Sequence, residues 1–177
     1  MSNKKGHDSH VGLLHHLGNS SKHIIQHHHR DNLSEFMLHD LCSSQGFNLR
    51  KAAYFINNPD FICLKGVAGY YHPELFQSSI WLNPKDFTAH MQKASFNQRV
   101  RSYMDSSLPA ALHAQDFSKK KIHELVDYLE IEDAAYHTWD AKHNNQGIFI
   151  FERPREQVAD HEHLFNFLHM LSFCPVF

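Results

Sequence analysis

The chain has 177 residues, 42% of them apolar and 20% charged, with 14 Phe and 6 Tyr. That is enough for one domain with a sizeable core, and it excludes disordered and collagen-like chains. Lys and Arg total 17 against 19 Asp and Glu, a formal charge of −2; a nucleic-acid surface usually needs a basic excess, so no nucleic-acid partner is expected.

The abnormal quantity is 18 His. Imidazole titrates just below neutral pH, so mild acid would drive the net charge strongly positive. Residues 1–30 carry eight of these histidines: His7, His10, His15, His16, His23, His27, His28 and His29. They hold no aromatic residue. Leu13-Leu14 and Ile24-Ile25 predict short helical turns, broken around Gly18-Asn19-Ser20-Ser21. The expectation is a His-rich flexible arm over 1–30, followed by a single α+β domain over 31–177.

The domain opens with a helix. Asn32 as cap and Glu35 three residues on resemble a capping box, and Leu33, Phe36, Met37 and Leu41 follow a 3.6-residue period. It should end near Cys42, before Gly46. Two strand-like runs follow. Phe47 to Ile56 predicts one face from Phe47, Leu49, Ala53 and Phe55. Phe61 to Tyr71 is almost wholly apolar or small, with Gly66 and Gly69 marking a bulge or a close backbone approach. Asn57-Asn58-Pro59-Asp60 supplies the turn.

Asn83-Pro84 is a helix start. Phe87, Met91 and Ala94 form one stripe and Phe96, Val100 and Tyr103 another, so the helix should bend or divide near Ser95. Ile122, Leu125, Val126 and Leu129 match i, i+3, i+4, i+7. Tyr136 to Asp140 and Gly147 to Glu152 predict a second hairpin, with Ile148-Phe149-Ile150-Phe151 as a strand buried on both faces. Pro154 should start a last helix that faces the core through Val158, Phe165, Leu168 and Leu171. Strands grouped in hairpins imply α+β, with an antiparallel sheet built from two hairpins packed against about four helices.

The apolar runs are far too short to span a membrane, and no apolar leader is visible. Three cysteines without a CxxC pair point to a reducing, cytoplasmic setting rather than a disulfide framework. There is no P-loop, GxGxxG, GxSxG or HExxH.

The chemistry that remains is imidazole, thiolate and carboxylate. Glu35, His39 and Cys42 are spaced i, i+4, i+7 on one helical face, a donor set that suits zinc or iron. Cys63 on the second strand and His72 just after it would complete a metal site if the hairpin packs on that helix, with Asp40 as an outer partner. The competing reading pairs His39 with Glu35 at the surface and leaves Cys42 in the core. His161 and His169 share a stripe of the last helix; His137, Asp140 and His143 surround the second hairpin beside Trp139. The expected function is therefore a protein that binds a transition metal, zinc or iron, through Glu35, His39, Cys42, Cys63 and His72, with a metal-dependent enzyme of unspecified substrate as one form of that reading. The alternative is a regulatory or adaptor module that binds a protein partner, responds to pH through its histidines and performs no catalysis.

Overall fold

A computed structural model describes residues 3–58, 60–106, 119–142, 144–153 and 161–175. Its first element is a 25-residue helix, α1 (Asn3–His27). Leu13, His16, Leu17, Ser20, His23, Ile24 and His27 recur every three or four residues, so they share one face. Leu17 and Ile24 on that face are buried in the main core, while Leu14 and Ile25 point out. The helix does not break at Gly18-Asn19-Ser20-Ser21, as the small polar residues had suggested. Ser20 and Ser21 return their hydroxyls to the carbonyls of His16 and Leu17, both at 3.1 Å, so neither competes with the helix.

The next helix, α2 (Leu33–Cys42), has all ten residues buried. α1 covers one side and the sheet the other, which is where a helix buried on all sides must sit. The anticipated capping box does not form. Asn32 makes no side-chain cap bond. Its amide instead donates to Glu35 Oε2 at 2.9 Å and Thr88 Oγ1 at 3.1 Å.

The sheet has five strands: β1 (Lys51–Asn58), β2 (Cys63–Tyr71), β3 (Met104–Asp105), β4 (Ala134–Asp140) and β5 (Gln146–Glu152). Their order is β3-β2-β1-β5-β4, and every neighbouring pair is antiparallel. The two predicted hairpins are β1–β2 and β4–β5; the short β3 was not foreseen. Helices flank both faces of the sheet. On one face Ala52, Tyr54, Ile56, Tyr70, Trp139, Phe149 and Phe151 pack with α1, α2 and the C-terminal helix. On the other, Ala53, Phe55, Leu64, Ile148 and Ile150 meet Phe96, Val100, Ile122, Leu125 and Leu129. All seven residues of β5 are buried, as its unbroken apolar run implied.

One face assignment changes. Phe47 and Leu49 join the core of Ala52 and Tyr54, not that of Ala53 and Phe55. Asn48 takes a left-handed φ of 49°, and Leu49 N–H donates to Cys42 O at 2.9 Å. The chain therefore wraps beneath the end of α2 before β1 begins at Lys51, and the alternation is reset.

Among the described residues there are six α-helices. α3 (Pro84–Met91) and α4 (Ser95–Ser102) are separate pieces, divided where the stripe shifts. α5 (Lys119–Leu129) buries Ile122, Leu125 and Leu129. α6 (His161–Leu168) continues as a 3-10 turn over His169–Phe173. Leu164, Leu168 and Leu171 are buried there, and Phe165 is only partly so. The expected helix start at Pro154 and the contact of Val158 lie outside the described residues. The fold is α+β, an antiparallel sheet of two hairpins packed against helices.

The glycines of β2 serve a close approach. The β1–β2 register shifts between Tyr54 and Phe55, leaving Val67 as the extra residue. Gly66 N–H donates to Tyr103 O at 3.0 Å, and a Cβ at Gly66 would lie 1.8 Å from Val100 O. Gly69 N–H donates to Asn97 Oδ1 at 2.9 Å. Both place α4 against the strand. No helix among the described residues is long and apolar enough to cross a membrane.

Candidate functional site

Glu35, His39 and Cys42 do share a line along α2, but each is engaged or enclosed differently. Glu35 is 2% exposed. Its Oε1 accepts from Arg101 at 2.7 Å and from Asn97 Nδ2 at 2.9 Å, while Oε2 accepts from Asn32. The charge is met by a guanidinium and two amides, the arrangement a buried carboxylate needs. Neither the paired carboxylate nor its partners in α4 could be read from the sequence near Glu35.

His39 is also buried. Its ring meets Tyr70 and Phe87 edge-on, with ring centres 5.5 and 5.1 Å away. Burial, then the nearby His90, lowers its pKa to about 4. The surface pairing of His39 with Glu35 is not formed. Cys42 is fully enclosed in the main core, and burial holds its thiol well above the ordinary range. An inert thiol of this kind is a small hydrophobe rather than a nucleophile.

Cys63 and His72 are not brought to that helix face together. The hairpin does pack on α2. However, Cys63 opens β2 opposite Asn58, and His72 follows its other end. Nine steps of extended chain separate them by about 30 Å. His72 is exposed and its Nδ1 lies 3.4 Å from Tyr70 Oη. The five candidate ligands thus fall in three places. Among the described residues no three His, Cys, Asp or Glu side chains gather in a way that would hold a metal ion.

The second hairpin keeps His137 and Trp139 on one face, as alternation required. His137 stacks on Phe165 at 4.2 Å, with His169 6.3 Å away. Burial first, and His169 second, lower its pKa. Asp140 is exposed at the strand end, so no His137–Asp140 dyad forms. His143 and the side chain of His161 lie outside what is described.

The densest imidazole cluster is where α1 meets the body. Asp40 of α2 receives α1: Ser20 Oγ donates to its carboxylate, and His16 Nε2 donates to its carbonyl at 3.1 Å. One turn further, His23 and His27 lie on the indole of Trp81, at 4.3 and 5.4 Å between ring centres. The ring centres of His23 and His27 are 6.5 Å apart, and His29 is 6.4 Å from His27. Burial lowers the pKa of both His23 and His27. The i, i+4 spacing of this pair was visible in the sequence; Trp81, far along the chain, was not a foreseeable neighbour.

A cavity of about 230 Å³ opens beside the first turn of α2, lined in part by Asp31, Glu35, Lys65 and Arg101. Two carboxylates and two cations give it no single ligand signature. No protein-family model, curated protein or solved structure matches the chain.

Proposed function

We propose that this protein is a non-catalytic binding module that joins a second copy of itself through the outer edge of β4. The observation that carries the reading is the character of that edge. Among the described residues β4 pairs with β5 alone, on one side. Its seven residues, Ala-Ala-Tyr-His-Thr-Trp-Asp, hold neither the proline nor the lysine that commonly blunts an edge strand. Tyr136 is 45% exposed there.

Antiparallel self-pairing about a two-fold axis at His137 is self-complementary. It sets Tyr136 opposite Thr138 and Ala135 opposite Trp139. Beyond the strand ends the same axis brings Lys142, in the turn after β4, towards Glu132 of the second copy, twice by symmetry, and both residues are exposed. The regulatory and adaptor reading is served by such a surface. The mixed His/Cys/carboxylate metal enzyme has less support, because Cys63 and His72 lie apart from each other and from the line of Glu35, His39 and Cys42.

The test is a charge swap read by sedimentation and by hydrogen exchange of the β4 amides. The wild-type chain should dimerise with protection of β4. Glu132→Lys should weaken the dimer by about tenfold, as rim attraction becomes repulsion worth about 1–2 kcal/mol. Adding Lys142→Glu should restore it. A chain that stays monomeric, or a swap that restores nothing, overturns the reading.

A further inference from the structure

We propose that His23 and His27, one helical turn apart on α1 and laid against Trp81, chelate a single divalent transition-metal ion of the zinc, nickel or copper class. The pair shares no residue with the β4 edge or with Glu35, His39, Cys42, Cys63 and His72. Geometry is the first support. Two imidazoles that share an ion at metal–nitrogen distances of about 2.1 Å and angles of about 90–110° have ring centres about 4.5–5.5 Å apart. The His23 and His27 centres, at 6.5 Å, are about 1 Å wider, a gap that a side-chain rotation closes without movement of the helix. An i, i+4 pair is the spacing by which one helical face offers two histidines to one ion.

The second observation is an unpartnered ring nitrogen. His23 Nδ1 is buried and has no protein hydrogen-bond partner. Burial also favours the neutral ring at both positions, and neutral imidazole is the form that binds metal. Trp81 lies against both rings, at 30° and 17° to its plane, and gathers them on one side of α1. His29 is exposed, follows the end of α1 and sits 6.4 Å from His27, so it can turn in as a third ligand. Charge is mixed: Asp40 favours a cation near His23, and Arg30 disfavours one near His27. Imidazole without thiolate suits zinc, nickel and copper rather than calcium or magnesium.

A chain with this much histidine will bind metal loosely everywhere, so the test must separate one site from the background. The full, untagged chain is titrated with nickel chloride and with copper(II) chloride, by calorimetry and by tryptophan fluorescence. One equivalent should bind ahead of the rest and quench the Trp81 emission. His23→Gln with His27→Gln should weaken that equivalent at least tenfold. His15→Gln with His28→Gln should not, since these two exposed rings are occupied locally by Asn19 and Ile25. Trp81→Phe should abolish the quench linked to the first equivalent. If the first double variant loses its circular dichroism, His27→Gln alone serves, and it too should lose the early equivalent. Identical titrations for both double variants overturn the proposal, as does a quench that survives Trp81→Phe.

Discussion

His39 sits where a charge is hard to hold. Tyr70 from β2 and Phe87 from α3 enclose its ring, His90 approaches from α3, and Glu35, one turn away on α2, is already bound to Arg101. Its pKa falls from 6.5 to about 4. The unfolded chain therefore binds a proton that the folded one refuses, across the window from pH 6.5 down to about 4. Stability is full above that window and is lost as pH falls through it. At about 1.4 kcal/mol per pH unit the loss is about 3 kcal/mol. His23, His27 and His137 shift in the same direction and add to the same acid limb. His39→Leu should shallow that limb, measured as the urea midpoint at pH 7 and at pH 4.5. At pH 7 the variant should be neutral or about 1 kcal/mol more stable, because His39 Nε2 is buried without a partner. An unchanged acid limb would show that His39 is not the residue responsible.

At the scale of elements, two glycines of opposite meaning separate local from distant constraint. Gly18 lies within α1, where a Cβ would meet nothing within 4 Å. Gly18→Ala should raise stability by about 1 kcal/mol, the helix-propensity difference. Gly66 lies under α4, where a Cβ would press on the carbonyl of Val100. Backbone cannot yield as a side-chain tip does, so Gly66→Ala should cost about 3 kcal/mol or more. Thermal melts of the two variants should move in opposite directions. The same distinction explains which elements could be read in advance. The stripe of α5, the division at Ser95 and both hairpins follow from residues near one another in the chain. The continuity of α1 does not, because Ser20 reads as a breaker until Asp40 is known to receive it. Nor does the reset of alternation at Lys51, which depends on Leu49 bonding back to Cys42.

At the scale of the molecule, α1 is a wall of the main core. Deleting residues 1–30 should uncover the bed of Leu17 and Ile24 and leave Asp40 without Ser20 and His16. Burial of the two aliphatic side chains alone is worth about 3–6 kcal/mol. The truncated chain should unfold at lower urea and bind a dye for exposed apolar surface. An unchanged urea midpoint would mean the segment is a detachable arm. The candidate ligands were the least legible part, and for the same reason as α1. A sequence shows that Glu35 and His39 share a face, but Asn97 and Arg101 reach Glu35 from α4, and His72 ends a strand that carries it away from Cys63.

The strand order carries a consequence for synthesis. β1 pairs with β2 almost at once, but its other edge pairs with β5, so Ala52 waits for Phe151. While the intervening chain is being made, Tyr54, Phe55 and Ile56 stand in a half-built sheet with one open, uncharged edge. Such an edge is a template for any other nascent chain. The joint between the hairpins is thus the step at which this protein is most exposed to misassembly, and slowing translation between β2 and β5 should lower its soluble yield.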